Sequence, residues 1–119
     1  MNVALNLFRY AKNVETYSTG QHIFDEGQPG DVMYVVQEGE IDIVLHGNVI
    51  ETVGPGGVIG EMALIDNGPR SATAIAKTDV TIVPINQKRF DFLVQETPFF
   101  ATQVMRVLVN RLRLMDTLA

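Results

Sequence analysis

From Val14 to about Val83, apolar and polar residues alternate in short bursts separated by glycine, and all 10 glycines of the chain fall within this stretch. Glycine reaches positive φ at little steric cost and so marks tight turns. Short alternating runs with frequent turn signals predict a mainly β unit, a sandwich or barrel. Five strands are legible: Asp31–Glu38, Ile41–Leu45 with Ile41, Ile43 and Leu45 on one face, Val49–Val53, Ala72–Lys77 and Thr81–Ile85. His46-Gly47-Asn48 joins two of them as a hairpin turn. On either side the period lengthens to that of a helix. Asn2–Lys12 places Val3, Leu7, Tyr10 and Ala11 at helical spacing. After Ile85, Asn86 is suited to cap a helix over Gln87–Gln95, with Phe90, Leu93 and Val94 on one face. Thr97-Pro98 then reads as N-cap and first residue of a longer helix running to near Ala119. Its apolar positions are Phe99, Phe100, Val104, Val107, Leu108, Leu112, Met115 and Leu118, with Val109 and Leu114 widening the stripe. One wide buried stripe accounts for this pattern, and so does a buried stripe plus a second face for a partner helix.

Length and composition narrow the class. A chain of 119 residues with 46% hydrophobic content suits a single domain with its own core. The organisation read here is one domain over 1–119: an N-terminal helix (1–13), a β-region (14–85) and C-terminal helices (86–119). Cysteine is absent, which excludes disulfides and fits a reducing cytoplasm. The first residues show no signal-peptide pattern, and no apolar run is long enough to cross a bilayer. The net charge of −5 argues against a nucleic-acid-binding surface. Arg106, Arg111 and Arg113 give the last helix local basic character, read as a solvated face.

Gly60 to Thr73 carries the chemistry. A glycine-led turn precedes Glu61, Met62–Ile65 favours a turn or two of helix, Asn67-Gly68-Pro69 returns the chain, and Arg70 and Ser71 follow. Apolar neighbours at Ile59 and Ala74-Ile75-Ala76 imply that both charges are partly desolvated, a costly state unless each meets a partner. One solution is a mutual Glu61–Arg70 salt bridge. The other is a phosphate joined to a sugar. Arginine grips phosphate with two hydrogen bonds, while a carboxylate accepts from a hydroxyl and would repel the phosphate. Small side chains at Ala63, Ser71 and Ala72, and the orphan amides of a helix start, suit close approach of an anion and are not needed for a salt bridge. Gly54-Pro55-Gly56-Gly57 is glycine-rich but lies in no strand–loop–long-helix unit, so no dinucleotide or P-loop site is read there.

Gly60-Glu61-Met62-Ala63-Leu64, four residues, then Pro69-Arg70-Ser71-Ala72-Thr73 resembles the phosphate-binding cassette of the cyclic nucleotide-binding domain family. That family supplies the sensor module of catabolite-activator-type regulators, of cyclic-nucleotide-dependent kinases and of nucleotide-gated channels. Phe24-Asp25-Glu26-Gly27-Gln28-Pro29-Gly30-Asp31 and Met33-Tyr34-Val35-Val36 before Gly39 resemble the family's early β-roll. The resemblance implies an eight-stranded antiparallel, jelly-roll-like β-roll, with the cassette at 60–73, a short N-terminal helix and two C-terminal helices. Carried over by position, Glu61 would accept from the ribose 2′-hydroxyl, beside the main chain of Gly60. Arg70 would bind the cyclic phosphate with the amides of Ala63 and Ala72 and the Ser71 hydroxyl. Met115 and Asp116 would fall near the base. A serine after the arginine, as at Ser71, leans toward cAMP rather than cGMP.

No catalytic triad or second motif supplies a general base, so the expectation is a receptor and not an enzyme. No cofactor or metal is expected; His22 and His46 stand in β-texture without a partner carboxylate or second histidine at ligand spacing. The methionines read as core filler. The expected partners are the nucleotide, an unidentified protein effector and, by resemblance to the activators, a second copy through the last helix, with neither nucleic acid nor membrane bound directly. Two alternatives stand beside this: a ligand-independent scaffold of the same fold, and a sensor domain excised from a channel, transporter or transcription regulator.

Overall fold

The computed structural model describes residues 3–117. In chain order the elements are α1 (Val3–Phe8), β1 (Glu15–Tyr17), β2 (His22–Phe24), β3 (Val32–Glu38), β4 (Ile41–Leu45), β5 (Asn48–Val53), β6 (Val58–Ile59), α2 (Glu61–Asp66), β7 (Thr73–Ala76), β8 (Val80–Asn86), α3 (Gln87–Glu96) and α4 (Pro98–Asp116). The strands form two four-stranded sheets, ordered β1-β8-β3-β6 and β2-β7-β4-β5. Every strand pairing is antiparallel. This is the eight-stranded roll with flanking helices, built as two facing sheets rather than a closed barrel. The strands that alternation missed are β1, β2 and β6, of 3, 3 and 2 residues. Runs that short hold too few positions to show a period of two.

Two apolar layers share the first sheet. On β3, Met33 and Val35 pack toward the helices, while Val36 faces the second sheet with Tyr34 against the same layer. On β8, Val83 and Ile85 point to the helices and Val80 and Ile82 to the second sheet. Both faces of these strands are covered, so their sequences read as nearly continuous apolar runs. The second sheet is covered on one side, and β4 alternates cleanly, with Ile41, Ile43 and Leu45 buried. Burial at about 25 cal/mol per Å² of apolar surface makes this facing layer the main force that closes the roll.

The helices differ from expectation at the N-terminus. Of the stretch 2–12, only Val3–Phe8 is helical, and Asn2 lies outside the described residues. Its buried positions are Ala4 and Phe8, not the stripe of Leu7 and Tyr10, which are 43% and 85% exposed. The side chain of Gln37 decides where α1 ends: its Nε2 donates to the carbonyls of Phe8 and Ala11 at 2.9 and 3.1 Å. At the other end, Asn86 caps α3 as expected, its side chain accepting from the Arg89 amide at 2.9 Å. Thr97 makes no side-chain cap to α4; its amide instead closes α3 on the Leu93 carbonyl.

α4 has one buried edge and one bare edge. Phe100 and Val104 are buried, with Val107 and Leu108 packed beside them; Phe100 also meets the rings of Phe8 and Phe90 edge-on at 6.3 and 6.4 Å. Gln103 accepts from the Ala4 amide and donates to the Gly56 carbonyl, which fastens α4 to α1 and to the glycine-rich turn. Phe99, Met105, Val109, Leu112 and Leu114 are exposed, so a single wide buried stripe is not what forms. Leu118 lies outside the described residues.

Candidate functional site

Gly60 turns the chain out of β6 at φ +78°, a left-handed conformation that starts α2 without a side-chain cap. Glu61 follows at once and is only 1% exposed, with Ala63 and Leu64 also buried. Asn67 ends α2 in the same left-handed region at φ 56°, a conformation that asparagine adopts more readily than most residues. The return leg is pinned through backbone: the Arg70 amide donates to the Gln28 carbonyl at 2.7 Å, and the Gly27 amide donates to the Arg70 carbonyl at 2.8 Å. The loop between β2 and β3 therefore sets where Arg70 points.

The side chain of Arg70 lies in a slot shaped for it. A Cβ at Gly30 would stand 2.4 Å from Nε, and one at Gly60 would stand 2.6 Å from Nη1. Phe24 supplies one wall, its ring centroid 4.2 Å from the guanidinium carbon, and Phe24 in turn stacks on Tyr34. Arg70 is 6% exposed, yet its hydrogen bonding is thin. Nη1 donates to the Gly60 carbonyl at 3.2 Å. Nε is the one buried side-chain nitrogen or oxygen among the described residues that has no hydrogen-bond partner. Burial lowers the guanidinium pKa, against the opposing pull of Tyr34, Asp31 and Glu61. The group remains a cation, since arginine does not deprotonate in proteins.

Glu61 and Arg70 do not pair with each other. Glu61 meets Arg111 of α4 through a short Nη1–Oε1 hydrogen bond. Arg111 also donates from Nε and Nη2 to the two carboxylate oxygens of Glu51 on β5, at 2.9 and 3.4 Å. Arg111 is 3% exposed, so the reading of a solvated arginine face is corrected at this position. Arg106 and Arg113 are exposed as expected. Burial alone would lower the Arg111 pKa, but Glu61 and Glu51 outweigh it and the net shift is upward. A signal was present in the sequence: Arg111 falls on the stripe of Phe100, Val104 and Leu108, four residues before Met115.

These groups surround one cavity. Phe24 and Ile43 form apolar wall, Gly60, Glu61 and Ala63 line the helix side, Arg70, Ser71 and Ala72 line the return strand, and Arg111 and Met115 close it from α4. The structure thus brings together every residue expected at the phosphate and ribose, and adds Arg111. Ser71 Oγ donates to Met62 Sδ at 3.4 Å. Met115 reaches the cavity, but Asp116 is exposed and faces a separate groove with Leu112 and Arg113. The centre of a water-sized sphere can range over only ≈ 20 Å³ inside. That is room for about one or two waters. Arg111 and Met115 of α4 are among the side chains that bound this space. The residues fit such a ligand: an anion would meet the unpartnered Arg70 donor and neighbouring amides, and a hydroxyl would meet Glu61.

The histidines stand elsewhere and are exposed. Both have a carboxylate neighbour that spacing did not reveal: His22 Nδ1 lies 2.5 Å from Asp25 Oδ1, and His46 Nε2 lies 3.9 Å from Glu26 Oε2. No group of three or more potential metal ligands occurs among the described residues. None of their helices is long and apolar enough to cross a membrane.

Comparison with known proteins agrees with this geometry. Residues 14–97 match the family model of the cyclic nucleotide-binding domain. A cAMP-dependent protein kinase regulatory subunit from Eremothecium gossypii is 40% identical over 73 residues, 61% of this chain and 16% of that protein. A CRP-like cAMP-activated global transcriptional regulator from Mycobacterium tuberculosis is 30% identical over 102 residues, 82% of this chain and 46% of that protein. The chain thus spans less than half the length of either relative. Among solved structures, cAMP-bound PfPKA-R superposes with TM-score 0.79 at 28% identity, over 88% of this chain and 36% of that one. The chain belongs to the cyclic nucleotide-binding domain family.

Proposed function

We propose that this member of the cyclic nucleotide-binding domain family is a receptor module for cAMP ahead of cGMP, and that it passes the binding event through its C-terminal helices to a separate partner. One observation carries the reading: Arg70 is a buried cation with an unpartnered Nε, held in a slot that two glycines keep open. Leaving a charged donor buried and unpaired is costly, and a phosphate oxygen would remove that cost. In this reading Arg70, the Ser71 hydroxyl and the amides of Ala63 and Ala72 take the cyclic phosphate. Glu61, beside the Gly60 main chain, accepts from the ribose hydroxyl. The base rests against Met115, while Asp116 faces a separate groove and is left out of the contact. Ser71 and the relatives that are named for cAMP favour adenine. A cytoplasmic site of action goes with this role, as does binding without catalysis.

The relay follows from the small cavity. A ligand shifts a conformational equilibrium only through contacts that differ between states. Here the sugar phosphate and the inward side chains of α4 compete for the same space, so binding and helix position are linked. The exposed stripe of Met105, Val109 and Leu112 recurs at four- and three-residue spacing along α4. That spacing suits a second helix, and it favours a homodimer over a lone module.

Calorimetry with cAMP and cGMP, with mass followed by light scattering, tests the reading. Wild type is expected to bind at micromolar affinity or tighter. Arg70→Ala should lose about 2–5 kcal/mol, the range for truncating one member of a buried charge pair, or roughly thirtyfold to several thousandfold. Equal affinity of variant and wild type refutes the phosphate site, and a wild type that binds neither nucleotide leaves the scaffold alternative standing.

A further inference from the structure

We propose that Glu51 determines nucleotide specificity without touching the nucleotide: by holding Arg111 it keeps the Glu61 carboxylate free for the ribose hydroxyl. The inference rests on the cyclic nucleotide reading of the cavity. Glu51 sits on β5, its side chain 32% exposed, and is not among the residues lining the cavity.

The argument is one of donor allocation. A guanidinium presents its Nε and Nη2 hydrogens as a parallel fork that matches the two oxygens of a carboxylate. Glu51 takes that fork, Nε at 2.9 Å and Nη2 at 3.4 Å. A second fork on Nη1 and Nη2 remains, but Nη1 alone reaches Glu61, at one oxygen, Oε1. An ionised carboxylate has about four lone-pair sites on its two oxygens. A single Arg111 contact therefore leaves most of the acceptor capacity of Glu61 for a ligand hydroxyl. If Glu51 loses its charge, Glu61 becomes the one carboxylate in contact with a 3%-exposed cation. The fork then turns onto Glu61 and covers both oxygens. Glu51 serves a second purpose when α4 yields to a ligand. Arg111 can release Glu61 and still be paired, so the move strands no buried cation.

The test compares cAMP with 2′-deoxy-cAMP by calorimetry on wild type, Glu51→Gln and the double variant Glu51→Gln/Arg111→Met, with thermal melts confirming that each is folded. Wild type should prefer the ribonucleotide about tenfold or more, the worth of a hydrogen bond to a charged acceptor. Glu51→Gln should lose most of that preference, with cAMP binding falling far more than 2′-deoxy-cAMP binding. The double variant should melt lower, since Glu61 loses its cation, but while folded it should be more selective than Glu51→Gln because the competitor for Glu61 is gone. An undiminished preference in Glu51→Gln, an equal loss for both ligands, or a double variant no more selective than the single one overturns the proposal. In those outcomes wild type still binds and discriminates, so the nucleotide reading survives. A wild type that binds neither ligand overturns both.

Discussion

Two buried arginines face one cavity, and their surroundings are opposite. Arg70 comes from the roll, held by backbone hydrogen bonds and a glycine slot, with no carboxylate in contact and one donor unpartnered. Arg111 comes from α4 and holds two carboxylates through three donors. Both are nearly dry, at 6% and 3% exposure. The difference separates a cation compensated within the fold from one whose hydrogen bonding is incomplete. Charge burial is compensated internally at Arg111, so that residue ties α4 to the roll. At Arg70 no carboxylate of the described residues makes such a contact, and under the proposed function a phosphate would supply it.

Deleting each arginine should separate the two roles most sharply in stability. Arg111→Ala leaves Glu61 buried without its partner and should destabilise the unliganded protein by about 3–5 kcal/mol in chemical denaturation. Arg70→Ala removes a stacking contact and one hydrogen bond but also an uncompensated charge, and should change stability by no more than about 1 kcal/mol. A comparable loss in both would erase the distinction. A smaller effect is expected at Gly30, where an added Cβ would collide with Arg70 Nε at 2.4 Å. Gly30→Ala should weaken nucleotide binding by roughly 1–3 kcal/mol, the range for a displaced hydrogen bond to a charged group, with the melting transition nearly unchanged. If affinity holds, the slot does not position the guanidinium.

The smallest effect belongs to an exposed polar tie remote from both arginines. Asp79 accepts from the Thr19 amide at 2.8 Å and from its hydroxyl at 2.9 Å, and these bonds hold its pKa below the ordinary carboxylate value. A depressed folded pKa stabilises above the ordinary carboxylate range, and the contribution fades as pH falls through that range. Melting curves of wild type and Asp79→Asn should differ slightly at neutral pH and converge in acid. A gap that widens in acid would contradict this sign.

Much of this molecule was readable along the chain. The cassette residues Gly60 to Thr73 lie close in sequence, so their types and spacing carried the chemistry without a fold. Strand β4 was legible because one of its faces is wet and the other dry. The cap at Asn86 is a local hydrogen bond and was equally visible. Periodicity failed where its sampling was too short, at β1, β2 and β6, and where a distant side chain set an end, as Gln37 does for α1.

Local composition, through glycine turns and alternation, was enough to specify a mainly β unit with flanking helices, and the resemblance of one cassette pointed to the β-roll. Tertiary structure alone decided that Glu61 answers to Arg111 rather than Arg70, and that α4 presses into the cavity while leaving Met105, Val109 and Leu112 bare. The reason is separation: Arg111 stands 50 residues from Glu61 and 60 from Glu51. A charge on a helix shows neither its burial nor its partner until the chain folds back and excludes water from the pair.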